Sequence, residues 1–269
     1  MTLSIISINL NNADGLQKTM KSVMAQSCQD FEYLVIDGGS TDGSVDVIKQ
    51  YAHMPNLRWV SEKDSGLYNA MNKGIAMAKG EYLNFLNGGD ILMGKDVVKD
   101  IMDSIEKYNH PELVIGKQYF QRGKKLVMTG GIAYGNSTLW GLYRGAYGHQ
   151  ASYIKRELFE KYGIYDESLK IASDWKWFIK VVVFENIKPV FVDIDVALFD
   201  MHGISSTNLE LTYAERRIVL KEMLPEYVLT DYDNLVSDSI LLERLRRHKN
   251  VYRLIKLTNK LLIRLEQEN

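Results

Sequence analysis

The sequence of 269 residues holds one cysteine, Cys28. A lone thiol excludes an intramolecular disulfide framework and a cysteine zinc cluster, and it suits a reducing compartment. Long apolar runs are missing too: no stretch approaches the roughly 18–20 residues that cross a bilayer. The opening MTLSIISINL has no basic segment ahead of its apolar residues. No signal peptide is expected, and the protein is expected in the cytoplasm. Charge of one sign is not in excess. Lysine and arginine total 33 against 34 aspartates and glutamates, a formal net charge of −1, which argues against a surface that coats nucleic acid. Glycine is absent after Gly203.

What is present is ordinary for a globular enzyme, with 46% hydrophobic and 25% charged residues. The first half alternates strands and helices. Leu3 to Leu10 reads as a strand buried on both faces. Asp14 to Gln26 reads as a helix with Asp14 near its N-cap and Leu16, Met20 and Val23 on one stripe. Strands over Phe31–Ile36, Leu57–Ser61 and Tyr82–Leu86 alternate with helices over Ser44–Tyr51 and Leu67–Ala78, the latter closed by Gly80. Repetition on this scale predicts right-handed crossovers and an open, mostly parallel α/β sheet flanked by helices. Ligands of such sheets lie beyond the carboxyl ends of the strands.

Residues 123–150 are rich in glycine and aromatics and read as loops over a site. Glu157–Tyr162 and Asp174–Glu185 look helical, Val190–Phe199 extended, and the chain from about Leu209 helical to its end. The expected organisation is a catalytic domain over residues 1–208 and a helical extension over 209–269. The donor half of the catalytic domain would cover about 1–95 and the acceptor half about 96–208.

Three acidic motifs fall where strands end. Asp37-Gly38-Gly39-Ser40-Thr41-Asp42-Gly43 follows the second strand. Its glycines permit sharp turns and close ligand approach, although a plain strand-to-helix turn capped by Ser40, Thr41 or Asp42 accounts for it equally well. Asp64 follows the third strand, where it or Ser65 could cap the next helix, and Asn72 on that helix points along the sheet top. Asn84-Phe85-Leu86-Asn87-Gly88-Gly89-Asp90 ends the fourth strand. Three carboxylates at one sheet edge repel unless a cation or donors compensate. A hard divalent ion, Mg²⁺ or Mn²⁺, sharing phosphate oxygens would do so.

The opening strand, DGGSTDG, EKDSGLYNAMNKG, FLNGGD, GHQAS and SDWKW stand in an order that resembles bacterial glycosyltransferase family 2, over roughly residues 2–207. The likeness is greatest to the branch that builds capsule, exopolysaccharide and lipopolysaccharide chains. It implies a GT-A fold and transfer from a nucleotide-sugar donor with inversion at the anomeric carbon. It also implies that Asp37 binds base or ribose, that Asp64 reads the base, and that Ile8 and Leu10 lie against it, with Asn72 grouped among the donor residues. Asp90 matches the last acidic position of the family's metal motif, and Asp174 matches the catalytic base. His149 and Gln150 match a polar pair near the acceptor sugar, and Trp175 stands ready to stack on that sugar or to pack the core. One departure is plain: Gly88 and Gly89 stand where relatives often carry further acids, so His202 becomes a candidate metal ligand, or simply a hydrogen-bonding histidine.

Inverting transfer needs one general base and an electrostatic partner for the leaving diphosphate. Asp174 would serve as the first, though an acid in a helix's first turn also gains from the dipole. At the C-terminus, Arg253, Lys256, Lys260 and Arg264 interleave with Leu254, Leu257, Leu261 and Leu265. This basic amphipathic pattern fits a membrane surface or, equally, packing on the catalytic domain or a second subunit. By the resemblance, acceptors are glycan or lipid-linked, which favours peripheral attachment on the inner face of the cytoplasmic membrane. Two other readings remain: a non-catalytic nucleotide-sugar sensor, and a sugar-phosphate nucleotidyltransferase. The latter is disfavoured because Asn9–Asp14 carries no Lys or Arg to grip a triphosphate.

Overall fold

A computed structural model describes residues 2–129 and 137–267. Gly130, Gly131 and Gly135 of the glycine-rich region therefore lie outside the described residues. The chain divides into two compact units, residues 1–216 and 217–269.

Among the described residues, the first unit is built on a nine-stranded sheet ordered β3-β2-β1-β4-β8-β6-β9-β5, with β7 added on β6. The N-terminal half supplies β1 (Leu3–Asn9), β2 (Phe31–Asp37), β3 (Leu57–Ser61) and β4 (Tyr82–Asn87), all mutually parallel. Helices α1 (Ala13–Met24), α2 (Ser44–Gln50) and α3 (Leu67–Met77) make the crossovers. β1 and β2 are buried along their whole length, as a central parallel strand covered on both faces must be. The apolar stripe of α1, Leu16, Met20 and Val23, is fully buried.

The remaining strands are β5 (Ile91–Leu92), β6 (Leu113–Arg122), β7 (Lys125–Thr129), β8 (Ser152–Lys155) and β9 (Val190–Leu198). Here parallel order ends. β8 runs antiparallel between β4 and β6, and β6 and β7 form a hairpin. A turn at Gly123 with φ +61° closes that hairpin, so no crossover helix is needed. The helices of this half are α4 (Val97–Lys107), α5 (Leu139–Arg144), α6 (Glu157–Tyr162) and α7 (Ser173–Ile179), which runs on into a π turn over Lys180–Phe184. A short α8 (Ile204–Thr207) precedes the three C-terminal helices: α9 (Leu209–Met223), α10 (Glu226–Arg247) and α11 (Lys249–Gln267).

Two expected helix ends differ. The α1 cap is Asn12, whose side chain accepts the Gly15 N–H at 3.0 Å, while Asp14 sits inside the first turn. Gly80 does not close α3, which ends at an extended Ala78. Gly80 instead lies against β1, where a Cβ would come within 2.5 Å of the Ser4 nitrogen. Glycine is needed there for close approach of two backbones.

Candidate active site

Parallel register brings the ends of four strands level. Asn9 pairs with Asp37, Ile8 with Asn87, and Asp37 with Ser61. Above them lies a crevice of about 630 Å³ lined by Asn12, Lys18, Asn87, Asp90, His149 and Asp174 among others. A second hollow of about 460 Å³, lined by Ile8, Gly38, Asp64 and Ala70, shares Leu10, Asn12 and Asn87 with it. Both lie where an open α/β sheet places its ligands.

Asp64 and Leu10 both line the second hollow. Leu10 is 62% exposed at the edge of both hollows. Asp64 lines the second hollow and accepts from the Lys73 ammonium at 2.6 Å, which is held in turn by Glu62 at 2.8 Å. Neither Asp64 nor Ser65 caps α3, whose N-cap is Gly66.

Asp37 does not face the crevice. It is fully buried, and four donors fill its two oxygens: Asn9 Nδ2 at 2.9 Å, Ser40 N at 2.9 Å, Ser40 Oγ at 2.6 Å and Ser61 Oγ at 2.7 Å. Burial pushes its carboxyl up, but these donors outweigh it and hold the acid below its usual range. A carboxylate offers about four acceptor positions, so Asp37 is spent on shaping the turn beneath the hollow rather than on a nucleoside.

Two more expected contacts are corrected. Asn72 gives its amide N–H groups to the Tyr165 carbonyl and to Glu167, both at 2.9 Å, and accepts the Tyr165 N–H at 3.1 Å. It pins the loop before α7 and touches neither hollow. Trp175 is 2% exposed, with Nε1 donating to the Leu142 and Gly145 carbonyls at 2.8 and 3.0 Å. A ring so enclosed packs the core and cannot stack on a sugar.

The crevice wall carries a largely enclosed histidine–carboxylate pair. His149 Nδ1 lies 3.0 Å from Asp174 Oδ2, and His149 Nε2 lies 3.2 Å from Asn87 Nδ2. Asp174 Oδ1 accepts from Trp175 N at 2.8 Å and faces the Tyr68 hydroxyl at 2.9 Å. That hydroxyl also lies 2.5 Å from the Ile171 carbonyl and, with one proton, serves one acceptor at a time. The imidazole and carboxylate side chains remain 13% and 17% exposed, enough to meet a ligand. Burial disfavours charge on both, yet their mutual contact prevails, lowering the Asp174 carboxyl and raising the His149 imidazole. Gln150, 3% exposed, lines the crevice beside them and hydrogen-bonds Asp90.

Asp90 is nearly enclosed, and its two oxygens accept the N–H groups of Asn87 and Asp200, each at 2.9 Å. Burial pushes this carboxyl up, against the pull of His149 and those N–H groups. It therefore anchors the Gly88–Gly89 turn and the Asp200 loop to each other. Asp200 is the acid that sequence reasoning missed. Its carboxylate closes over Gly89, where a Cβ would stand 2.4 Å from Oδ2, and it accepts from His202 N at 3.1 Å and His202 Nδ1 at 2.6 Å. Its place is set by β9, which pairs antiparallel with β5 and so brings Asp200 over the turn that follows β4. Among the described residues no three His, Cys, Asp or Glu side chains gather as a metal cage. The pair Asp200 and His202 nevertheless fits an ion such as Mg²⁺ or Mn²⁺ that takes phosphate oxygens for the rest of its shell.

Other residues not foreseen in the sequence act through support. Lys18, one turn into α1, puts a cation on the crevice. Glu215 is buried and accepts the N–H groups of Lys170, Ile171 and Ala172 at 2.7, 2.8 and 3.0 Å, fixing the approach to Asp174.

Strand ends, two joined hollows and an acid–histidine pair define a nucleotide-binding α/β enzyme site. The sequence matches the model of glycosyl transferase family 2 over residues 4–185. A glycosyltransferase of Mycobacterium tuberculosis, itself uncharacterized, is 34% identical over 208 residues, covering 76% of this chain and 77% of the relative. A PGL/p-HBAD biosynthesis glycosyltransferase of Mycobacterium bovis is 30% identical over 218 residues, covering 79% and 82%. Among solved structures, S. aureus TarS 1–349 with UDP-GlcNAc superposes with a TM-score of 0.63 at 18% identity, over 77% of this chain and 61% of that one. PcManGT, a mannosyltransferase of Pyrobaculum calidifontis with GDP-Man and Mn²⁺, gives 0.57 at 16%, over 73% and 56%. The chain thus spans about three fifths of these solved chains, whose likeness bears on the fold alone. The chain belongs to glycosyltransferase family 2, with the GT-A fold, and is a glycosyltransferase.

Proposed function

We propose that this enzyme moves a sugar from a nucleotide-sugar donor, with UDP as the nucleotide, to a hydroxyl of a glycan or lipid-linked acceptor in bacterial polysaccharide synthesis, with inversion. The observation that carries the reading is the pair of joined hollows. One is apolar with a single acid, Asp64, suited to a base lying between Ile8 and Leu10. The other holds Asp174 and His149 where an acceptor hydroxyl must lose its proton. UDP and UDP-GlcNAc are bound by TarS, which supports the choice of nucleotide.

The donor's sugar would sit at the junction of the hollows, with its diphosphate toward Lys18, Asp200 and His202. Asp200 and His202 would hold Mg²⁺ or Mn²⁺, which would neutralise charge on the leaving diphosphate. Asp64 orients the base, and Gly38 keeps the floor open, since a Cβ there would stand 2.9 Å from Asp64 Oδ2 and 3.1 Å from Leu10. The Asp174–His149 pair accepts the proton, while Tyr68 and Glu215 hold Asp174 and its loop in place.

A thermal-shift panel of UDP-, GDP- and dTDP-sugars with and without Mn²⁺ tests this reading. A UDP-sugar should raise Tm, more so with Mn²⁺. Asp174→Asn should keep that shift and lose transfer by about 10²-fold or more. A protein that no nucleotide sugar stabilises, and that hydrolyses none of them, is not this enzyme.

A further inference from the structure

Sharing Phe199 with the crevice is a third hollow of about 270 Å³, lined by Gln118, Thr129, Arg144, Tyr147, Gly148 and Arg216 among others. The proposed transfer leaves it unused. It is smaller than the roughly 300–1,000 Å³ of a pocket that takes a whole small molecule, so it suits one group of a larger ligand. Its charge is of one sign. Arg144 and Arg216 line it and, among the described residues, no acid does, whereas Asp14, Asp90, Asp174 and Asp200 all line the crevice. Guanidinium groups grip a carboxylate or a phosphate through parallel N–H donors.

Trp175 supports both arginines. The Arg216 guanidinium, from α9, lies over its ring at 4.9 Å from the ring centre. Its Nε1 donates to the Leu142 and Gly145 carbonyls at 2.8 and 3.0 Å, which fixes the end of α5 that carries Arg144. Arg144 lies in turn over the Trp140 ring at 5.5 Å. An arginine laid on a ring has its planar fork oriented before a ligand arrives. Asp174 of the crevice and Trp175 are consecutive in α7, and Gly148 of this hollow directly precedes His149 of the crevice.

Gln118 supplies the second observation. It is 6% exposed, pairs with Thr129 across the β6–β7 hairpin, and its Oε1 has no hydrogen-bond partner among the described residues. Gly148 leaves the space that this amide fills, since a Cβ there would overlap Oε1. A buried carbonyl oxygen without a donor costs free energy, and a sugar hydroxyl entering the hollow would supply the donor. Two cations for an oxyanion, with an acceptor for a hydroxyl beside them, describe a sugar that carries an acid group.

Resting on the transferase reading above, we propose that this hollow binds an oxyanion of the acceptor, a phosphate or a carboxylate. The enzyme then glycosylates a glycosyl phosphate or an acidic sugar in preference to a neutral one. The attacking hydroxyl lies in the crevice at Asp174, while Arg144 and Arg216 hold the acid group. That placement also keeps the anion away from the four aspartates of the crevice.

Ligand-observed NMR on the protein saturated with UDP and Mn²⁺ tests the assignment, because UDP then fills the donor site. Glucose 1-phosphate, methyl glucuronoside and methyl glucoside serve as probes. At least one anionic probe should bind about tenfold or more tightly than methyl glucoside, and which of the two leads tells phosphate from carboxylate. Arg144→Gln and Arg216→Gln should each cut that advantage to about threefold or less while keeping the thermal shift given by UDP. Arg144 is exposed, so its replacement leaves the packing intact. The proposal is overturned if neither anionic probe outbinds the neutral sugar, or if the advantage survives in both variants. It is equally overturned if raising UDP displaces the anionic probe, since the anion would then sit in the donor site. A parent that UDP does not stabilise contradicts the donor reading instead. The same probes are then titrated without UDP, and the two arginine variants decide this proposal as before.

Discussion

Asp174 and His149 fix one another's charge, and that has a measurable signature in stability. Asp174 is held below the ordinary aspartate value of 3.8, so its contribution exists above that value and disappears as pH falls through the lowered one. His149 is held above 6.5, so its contribution is whole below that value and is lost as pH rises through the raised one. The pair therefore stabilises most between about pH 4 and about pH 6.5. Comparing Tm of the parent with His149→Gln across pH should give the widest gap in that window, narrowing on both sides. A gap that widens steadily above pH 7 would contradict a charged pair. At this scale the sequence was read unevenly. Asp64 could be singled out because motif and topology agree on it, whereas Asp174 and His149 stood on the family resemblance alone. Asp37, Asn72 and Trp175 misled because residue type says nothing of which neighbours fill a side chain's bonds. Asn9, Ser40 and Ser61 saturate Asp37, and two of those three lie on other strands or turns.

Elements of the N-terminal half were legible because each strand and helix carries its own period, and the parallel register follows from the crossovers. The second half was legible only in part: the helices over Glu157–Tyr162 and from Asp174 and the strand from Val190 were read, but β6, β7 and β8 pair antiparallel through long-range partners that local patterning does not reveal. Asp200 belongs to this class: its value comes from sitting over Gly89, a neighbour more than 100 positions away in the chain. The last helix, α11, is legible by contrast. Leu254, Leu257, Leu261 and Leu265 are all more than half exposed. Arg253, Lys256, Lys260 and Arg264 recur along the same helix, and no acid occurs between Lys249 and Leu265. We propose that this helix rests on an anionic bilayer surface, which would suit a lipid-linked acceptor. The protein should sediment with vesicles containing phosphatidylglycerol, and replacing Arg253, Lys256, Lys260 and Arg264 by glutamine should weaken that by roughly 1 kcal/mol per charge. Equal sedimentation with neutral vesicles, or concentration-dependent dimers that vanish with the same changes, would count against the bilayer.

At the scale of the whole molecule, no helix among the described residues is long and apolar enough to cross a membrane. Family membership accounts for the fold and for glycosyl transfer, whereas the arrangement of this crevice supports the direction of the chemistry. Under the proposed function, a base on one side of the anomeric carbon and the diphosphate on the other would give one in-line displacement without a covalent intermediate. Asp37 of the DGGSTDG motif is a scaffold residue rather than a ligand contact, and the proposed chemistry rests on Asp174 with His149. The most direct test is proton NMR of the sugar released when water replaces the acceptor. With an α-linked UDP-sugar, the account predicts the β-anomer first, before mutarotation. The α-anomer as first product would show retention and contradict it.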